Sequence, residues 1–432
     1  MIQRQVIAAA PLALLVLLAA SPGPMSPPAT RLASVRSNGD LANGDSSSAS
    51  VSADGRYVAF ESDATNLVQG DMNALGDVFV HDMVSGATVL VSVRSNGVVG
   101  DASSGGPFIS ANGRYVGFES DATNLVPGDT NGQADVFLHD MVTGKTSRVS
   151  VRSNGVQANG ASREPSLSTN GQYIAFTSSA TNLAGADTNG QGDVFVHGTA
   201  TGRTIAASVN SQGVQANDYS SEPMLSGDGQ HVVFESAATN LVGGDTNAMV
   251  DVFLRDMITG KTKRASVSTA GAQANGFSRE ASVSADGRYV AFTSSATNLV
   301  GSDLNGTDDM FVRDMTSGRT RLVSVSTAGV QGDASSGEGH ISAGGGFVAF
   351  GSLASNLVGS DVNGVSDVFV RDLVLKTTRL VSVSSTGVQG DGGSFDPSVT
   401  SDGAFVAFES SATTLVGSDT NGVADIFQRS HP

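Results

Sequence analysis

The sequence predicts an all-β fold, a seven-bladed β-propeller with four-stranded blades of 58 residues, and three observations carry that prediction. The first is strict repetition. The stretch Gly128 to Phe137, GDTNGQADVF, recurs seven times, with its leading acidic residue at Asp71, Asp129, Asp187, Asp245, Asp303, Asp361 and Asp419, in steps of 58 residues without insertion. A fixed period of that length marks a repeat architecture. The second is the grammar of one unit, four short apolar runs joined by two tight turns and two long loops, which describes a propeller blade. The third is a displacement of the ends. The seventh unit stops after its third strand at Phe427 to Pro432, while Thr30 to Val35 (TRLASV) matches Thr320 to Val325 (TRLVSV) five periods downstream. An N-terminal strand that completes the last blade closes the ring and removes the sheet edges. An open solenoid would carry capping repeats instead.

Taken in order, residues 1–20 combine Arg4 with an uncharged, mostly apolar run from Val6 to Ala20, the layout of a signal peptide. Residues 21–29, with Pro22, Pro24, Pro27 and Pro28, form a Pro-rich lead-in, and 30–432 are the propeller. No second apolar stretch of spanning length follows, so an exported chain, secreted or periplasmic and without a membrane span after signal removal, is expected.

Within the second unit, Phe108 to Ser110 reads as a strand and Ala111-Asn112-Gly113 as a tight turn. Tyr115 to Glu119 is a second strand, Ser120 to Ala134 a long loop and Asp135 to His139 a third strand. Val142-Thr143-Gly144 is a second turn and Thr146 to Val151 the fourth strand. Phe recurs at one site in the second strand (Phe60, Phe118, Phe176, Phe234, Phe292, Phe350, Phe408) and one in the third (Phe79, Phe137, Phe195, Phe253, Phe311, Phe369, Phe427). Strands apolar on both faces suit a blade packed between two neighbours, so these Phe are core.

The turn and strand motifs SADGRYVAFES (Ser52 to Ser62) and DVFVHD (Asp77 to Asp82) resemble the WD40-like repeats of TolB-type β-propellers, the PD40 repeat. The resemblance spans all seven blades, roughly 30–432. It departs from that family in its longer blades and in Ala, Thr or Gly where the family's turn carries Pro.

Charge and composition narrow the function. A net charge of −17 argues against nucleic acid and anionic membranes as partners. With no Cys there are no disulfides, thiol catalysis or Cys-based metal sites, and with no Trp the case for stacking on sugars or bases weakens.

The second-to-third-strand loop and the blade-to-blade loop share one face, the candidate functional face, since loops carry function on a rigid scaffold. There the Asp-x-Asn-Gly-x-x-Asp loop offers side-chain oxygens suited to a hard cation such as Ca²⁺. The candidate metal ligands are Asp71, Asn73 and Asp77; Asp129, Asn131 and Asp135; Asp187, Asn189 and Asp193; Asp245, Asn247 and Asp251; Asp303, Asn305 and Asp309; Asp361, Asn363 and Asp367; and Asp419, Asn421 and Asp425. A plain Asx-turn with a tie to the next strand is the equal alternative.

A second candidate is an acidic ring at the start of the innermost strands, Glu164, Glu222, Glu280, Glu338 and Asp396, broken by Ser48 and Gly106. It could bind a cation or a basic partner, but solvation or pairing with Arg163 or Arg279 is favoured. Asp82, Asp140, Asp256, Asp314 and Asp372 precede tight turns and read as turn chemistry. His81, His139 and His197 share a position with Arg255, Arg313, Arg371 and Arg429, which reads as a surface exchange and not as metal ligation.

No nucleophile elbow, zinc-protease helix or phosphate loop is present, and the carboxylates come in seven near-equal copies. The expectation is therefore a non-enzymatic, monomeric binding or scaffold propeller, calcium-stabilised, that presents its long-loop face to a protein or glycan. The alternative is a propeller polysaccharide lyase or glycosidase using channel-mouth carboxylates.

Overall fold

A computed structural model describes residues 28–71, 73–185, 187–301 and 303–431. The expected signal segment, and all of the Pro-rich lead-in except its last two residues, lie outside these. The described chain forms 28 strands in seven four-stranded antiparallel sheets, each in simple up-and-down order. In blade 2 the strands are Ser104–Ile109, Tyr115–Ser120, Asp135–Asp140 and Lys145–Arg148. Closure follows the sequence reading: Thr30–Leu32 pairs antiparallel with Asp425–Ser430, in the register Thr30↔Arg429 and Leu32↔Phe427.

Two boundaries differ from expectation. The innermost strand of blade 2 starts at Ser104, four residues before the predicted Phe108, because Gly106 and Pro107 bulge out of the ladder and let Ser104 and Gly105 pair with Ser120 and Glu119. The same bulge recurs at the start of the other six inner strands. The fourth strand ends at Arg148, and Val149 to Val151 leave the ladder.

The core lies between blades. Each blade stacks its two Phe at ring-centroid distances of 5.7–5.9 Å, a favourable offset geometry. Thirteen of these fourteen Phe are fully buried, and Phe195 is 4% exposed. Serines stitch the inner strand to the second, as in Ser104 Oγ to Ser120 Oγ at 2.8 Å.

The His/Arg position is a blade-to-blade contact, which corrects its reading as a surface exchange. His81, His139 and His197 are buried, bond to Thr88, Thr146 and Thr204, and are pushed below the ordinary His range by burial. Where Arg replaces His, it reaches the preceding blade. Arg255 Nη1 donates to Val209 O and Asn210 O, and Arg371 Nη1 donates to Ser326 O at 3.0 Å. Arg thus crosses the seam directly, whereas His bonds to the Thr of its own blade, whose hydroxyl in turn donates to the preceding blade, as Thr146 Oγ1 does to Val93 O.

Candidate functional site

The central channel differs at its two ends. At the short-turn end, neighbouring first turns bond to each other, Ala53 N to Ala111 O, Thr169 N to Gly227 O and Ala285 N to Ala343 O. A small cavity of about 100 Å³ there is lined by residues such as Val51, Ile109 and Ala343. At the long-loop end the inner strands open onto a cavity of about 300 Å³ ringed by Glu164, Glu222, Glu280, Glu338 and Asp396.

These acidic residues sit on the strand bulges, in left-handed backbone. Glu164, Glu222, Glu280, Glu338 and Asp396 have φ between 46° and 57°, as does Ser48, with Gly106 at 55°. Non-glycine residues in that region are strained and cluster at functional sites. Six of the seven bulges, those of blades 2 to 7, turn a backbone N–H toward the preceding blade, where a carboxylate accepts it. Gly106 N donates to Glu61 at 3.2 Å, Glu164 N to Glu119 at 2.9 Å, Glu222 N to Glu164 at 2.8 Å and Glu280 N to Glu235. Glu338 N donates to Glu280 at 2.8 Å and Asp396 N to Glu338 at 3.3 Å.

The accepting carboxylate comes from one of two positions. Blades 1, 2 and 4 supply it from the second strand, as Glu61, Glu119 and Glu235. Blades 3 and 5 carry Thr177 and Thr293 there, and their inner-strand Glu164 and Glu280 accept instead, each steadied by the Thr hydroxyl at 2.6 and 2.8 Å. One carboxylate per blade suffices for this bond. Blades 4 and 7 have two, Glu222 with Glu235 and Asp396 with Glu409.

The crowding shows in acidity. Burial, then the charge of Glu222, push Glu235 well above the carboxylate range, and Glu222 is raised with it. Burial, then Asp396 and Glu338, push Glu409 up to about 7. Burial raises Glu61, Glu338 and Asp396 too. Glu280 is the exception: burial works against its charge, but donors from Glu338 N, Thr293 and Arg279 outweigh it and hold it low. The pairing expected from Arg163 and Arg279 exists in part. Arg279 meets Glu280 at 3.0 Å and Asp308 at 2.6 Å, whereas Arg163 meets Glu119 at 3.0 Å.

The Asp/Asn/Asp loops rim the same face. In each described case the Asn side-chain oxygen accepts the N–H two residues on, as Asn131 Oδ1 does from Gln133 N at 3.0 Å, while its Nδ2 donates to the next blade at Ala158 O, also 3.0 Å. The Asn thus builds the turn and pins it to its neighbour, and does not bring a third oxygen to the two carboxylates. Those converge on a residue that the motif did not include. Gln157 Nε2 donates to Asp129 and Asp135 at 2.8 Å each, and Gln215, Gln273, Gln331 and Gln389 do the same in blades 3 to 6. Among the described residues no group of three or more His, Asp or Glu gathers as a metal cage.

On the short-turn face the outer Asp behave as turn chemistry with an added partner. Asp140 accepts Val142 N at 3.0 Å and two bonds from Arg114, at 3.0 and 2.8 Å.

No protein-family model and no curated protein matches the chain. Solved structures similar to it include an oligogalacturonate lyase in complex with manganese, 12% identical, with 94% of this chain and 97% of that one covered and a TM-score of 0.56. Another is the Pyrococcus horikoshii acylaminoacyl peptidase, 11% identical, with 89% of this chain and half of that one covered and a TM-score of 0.53. TolB from Acinetobacter baumannii, of the type that the repeats resemble, is also among them at 17% identity and a TM-score of 0.40. That match covers 70% of this chain and 58% of the TolB chain. The expectation of a non-enzymatic chain is thereby corrected: this propeller fold is shared with a lyase and a peptidase, so architecture gives no ground for excluding catalysis. The carboxylates are also not seven equal copies, since blades 4 and 7 are doubled. A manganese complex on the same fold makes a bound metal compatible with it. No helix among the described residues is long and apolar enough to cross a membrane.

Proposed function

We propose that the chain is an exported binding propeller that receives a positively charged segment of a protein partner in the acidic channel mouth of its long-loop face. The observation that carries this reading is the ring of carboxylates on strained bulges around one cavity of about 300 Å³. Burial, and then the charge of neighbouring carboxylates, make Glu222, Glu338 and Asp396 weaker acids, so a Lys or Arg side chain entering the mouth relieves repulsion as well as gaining charge-assisted bonds. The net charge of −17 would steer such a partner in. Ca²⁺ has a place in this reading as an ion that stiffens the rim.

The test is calorimetric titration of the whole chain with a Lys/Arg-bearing peptide and, separately, with neutral oligosaccharides. Peptide binding should weaken steeply as salt is raised, and Glu222→Gln with Glu338→Gln should weaken it about tenfold, or ~1.4 kcal/mol. Indifference of the affinity to both changes, or binding of the sugars alone, would refute the reading.

A second reading rests on blade 4. There Glu222 and Glu235 share a hydrogen bond, and burial, then the charge of Glu222, push Glu235 toward its protonated form. A protonated carboxyl beside a second one is the arrangement that general-acid cleavage of a glycosidic bond uses. Polysaccharide turnover that is lost in Glu235→Gln would favour this lyase or glycosidase reading.

A further inference from the structure

The seven Asp/Asn/Asp loops fall into two classes. In blades 2 to 6 a Gln placed 28 residues after the leading Asp puts its Nε2 2.7–3.0 Å from that Asp's Oδ1. The same nitrogen lies 2.6–3.2 Å from Oδ2 of the second Asp. One amide nitrogen therefore stands between the two carboxylates, where a cation would otherwise stand. Blades 2 and 4 add a guanidinium, Arg148 and Arg264, within 2.9–3.4 Å of both Asp.

Blades 1 and 7 have neither. Val99 and Leu41 stand at the Gln position, and Leu90 and Leu32 at the Arg position. The oxygen that accepts from Gln in five blades is orphaned here: Oδ1 of Asp71 and Oδ1 of Asp419 are buried with no hydrogen-bond partner, in side chains of residues only 7% exposed. A buried carboxylate oxygen without a donor is costly, and such an exception calls for an unseen partner. The second Asp of each pair keeps its own donors, Ser92 and Asn73 on Asp77, and Ser34 and Asn421 on Asp425.

We infer that blades 1 and 7 each bind one divalent cation of the Ca²⁺ class, between Asp71 and Asp77 and between Asp419 and Asp425, and that the other five loops do not. The inference deepens the rim-stiffening part of the function proposed above and rests on it, independently of what enters the channel. With two carboxylates per ion, backbone carbonyls and water complete the shell, and affinities of about 10⁻⁴–10⁻³ M follow, as in extracellular modules. The two sites flank blade 1, and the blade 7 site lies beside the strand that closes the ring. The blade 7 loop holds the N-terminal segment through Ser34 Oγ on Asp425 at 2.6 Å, Asn421 Nδ2 on Ala42 O at 3.2 Å and Ser46 N on Ala424 O at 2.8 Å. The blade 1 loop meets blade 2 through Asn73 Nδ2 on Gly100 O at 3.2 Å and Ser104 N on Gly76 O at 2.8 Å.

The experiment strips the full chain of metal and titrates it with Ca²⁺ alone, reading stoichiometry and melting temperature. Two ions per chain are expected, with a rise in Tm on the order of 2–5 °C at 10 mM. The double variant Val99→Gln with Leu41→Gln supplies the missing amides. It should remain folded in chelator and lose both ions and the shift. Gln331→Leu, in a blade without the Arg bridge, should raise the stoichiometry to three. Absence of bound Ca²⁺ in the wild type overturns the inference, as does a stoichiometry near seven or a Gln331→Leu variant that still binds two. Peptide titration of the same preparations reports on the channel separately, so failure of either proposal is seen apart from the other.

Discussion

On the short-turn face, Asp82, Asp140 and Asp314 each accept a two-pronged arginine and the N–H groups of the turn they precede, and all three are held below the ordinary carboxylate range, chiefly by that arginine. On the long-loop face, Glu61, Glu338, Asp396 and Glu409 are raised, chiefly by burial and then by neighbouring carboxylates. The same contrast appears in the backbone. The first turns place glycine at every left-handed position, from Gly55 and Gly113 to Gly403, whereas the channel mouth holds Glu164, Glu222, Glu280, Glu338 and Asp396 there. Apart from Lys376, at a φ of 58° in one second turn, the short-turn face satisfies its charges and relieves its strain, and the other retains both. Retained strain and unneutralised charge are what a binding surface needs, since a ligand can relieve them.

The largest test of this contrast is removal of one satisfied charge. Asp140→Ala deletes two arginine bonds and a turn cap, and denaturant melts should show a loss of about 2 kcal/mol. Arg114 is left over the Tyr115 ring, 4.9 Å from its centroid, which limits the damage. A loss no larger than that of an ordinary surface substitution would erase the distinction between the faces.

Next in size is the dependence on pH. The depressed turn-face Asp contribute stability above their unfolded values near 4, and that contribution is lost in acid. The raised groups act oppositely. Glu409 at about 7 and Asp77 and Asp425 at about 6 stabilise the fold below their unfolded values, and that contribution is lost as pH rises through 6 to 7. Melting temperature in chelator should therefore peak near pH 4–5 and fall toward pH 8. Glu409→Gln should flatten part of that fall, on the order of 1–2 kcal/mol after solvent screening. A profile that rises from pH 5 to 8 would show the mouth carboxyls to be ordinary.

The smallest effect probes strain on the rim. Ala74 and Ala248 hold φ of 55° and 53° where five other loops have glycine. Ala74→Gly should raise stability by about 0.5 kcal/mol in the same melts, the relieved strain being partly offset by chain entropy. A loss instead would place no strain at that loop.

Blade number, strand order and ring closure were legible because each leaves a local mark: the 58-residue step, the Asn-Gly and Asp-Gly turns, and the TRL match at residues 30–32. The inner-strand starts were not, since a Ser-Gly-Gly-Pro stretch reads as loop until the carboxylate of the preceding blade is seen to hold its bulge. The candidate site was visible as an acidic ring but not as a relay, because its bonds join residues 45 or 58 positions apart. Two signals were nevertheless present in the sequence. Gln recurs 28 residues after the leading Asp in five units and gives way to Leu41 and Val99 in two, and Glu alternates with Thr in the second strand.

The central claim is that the unsatisfied face is the one that binds. A basic peptide carrying a photoactivatable group, crosslinked to the whole chain at low salt and mapped by mass spectrometry, tests it most directly. Labels should fall at the channel mouth, on segments around Glu164, Glu222, Glu280 and Glu338, and vanish in high salt. Labels concentrated on the opposite turns, around Gly171, Gly229 and Gly287, would contradict the account.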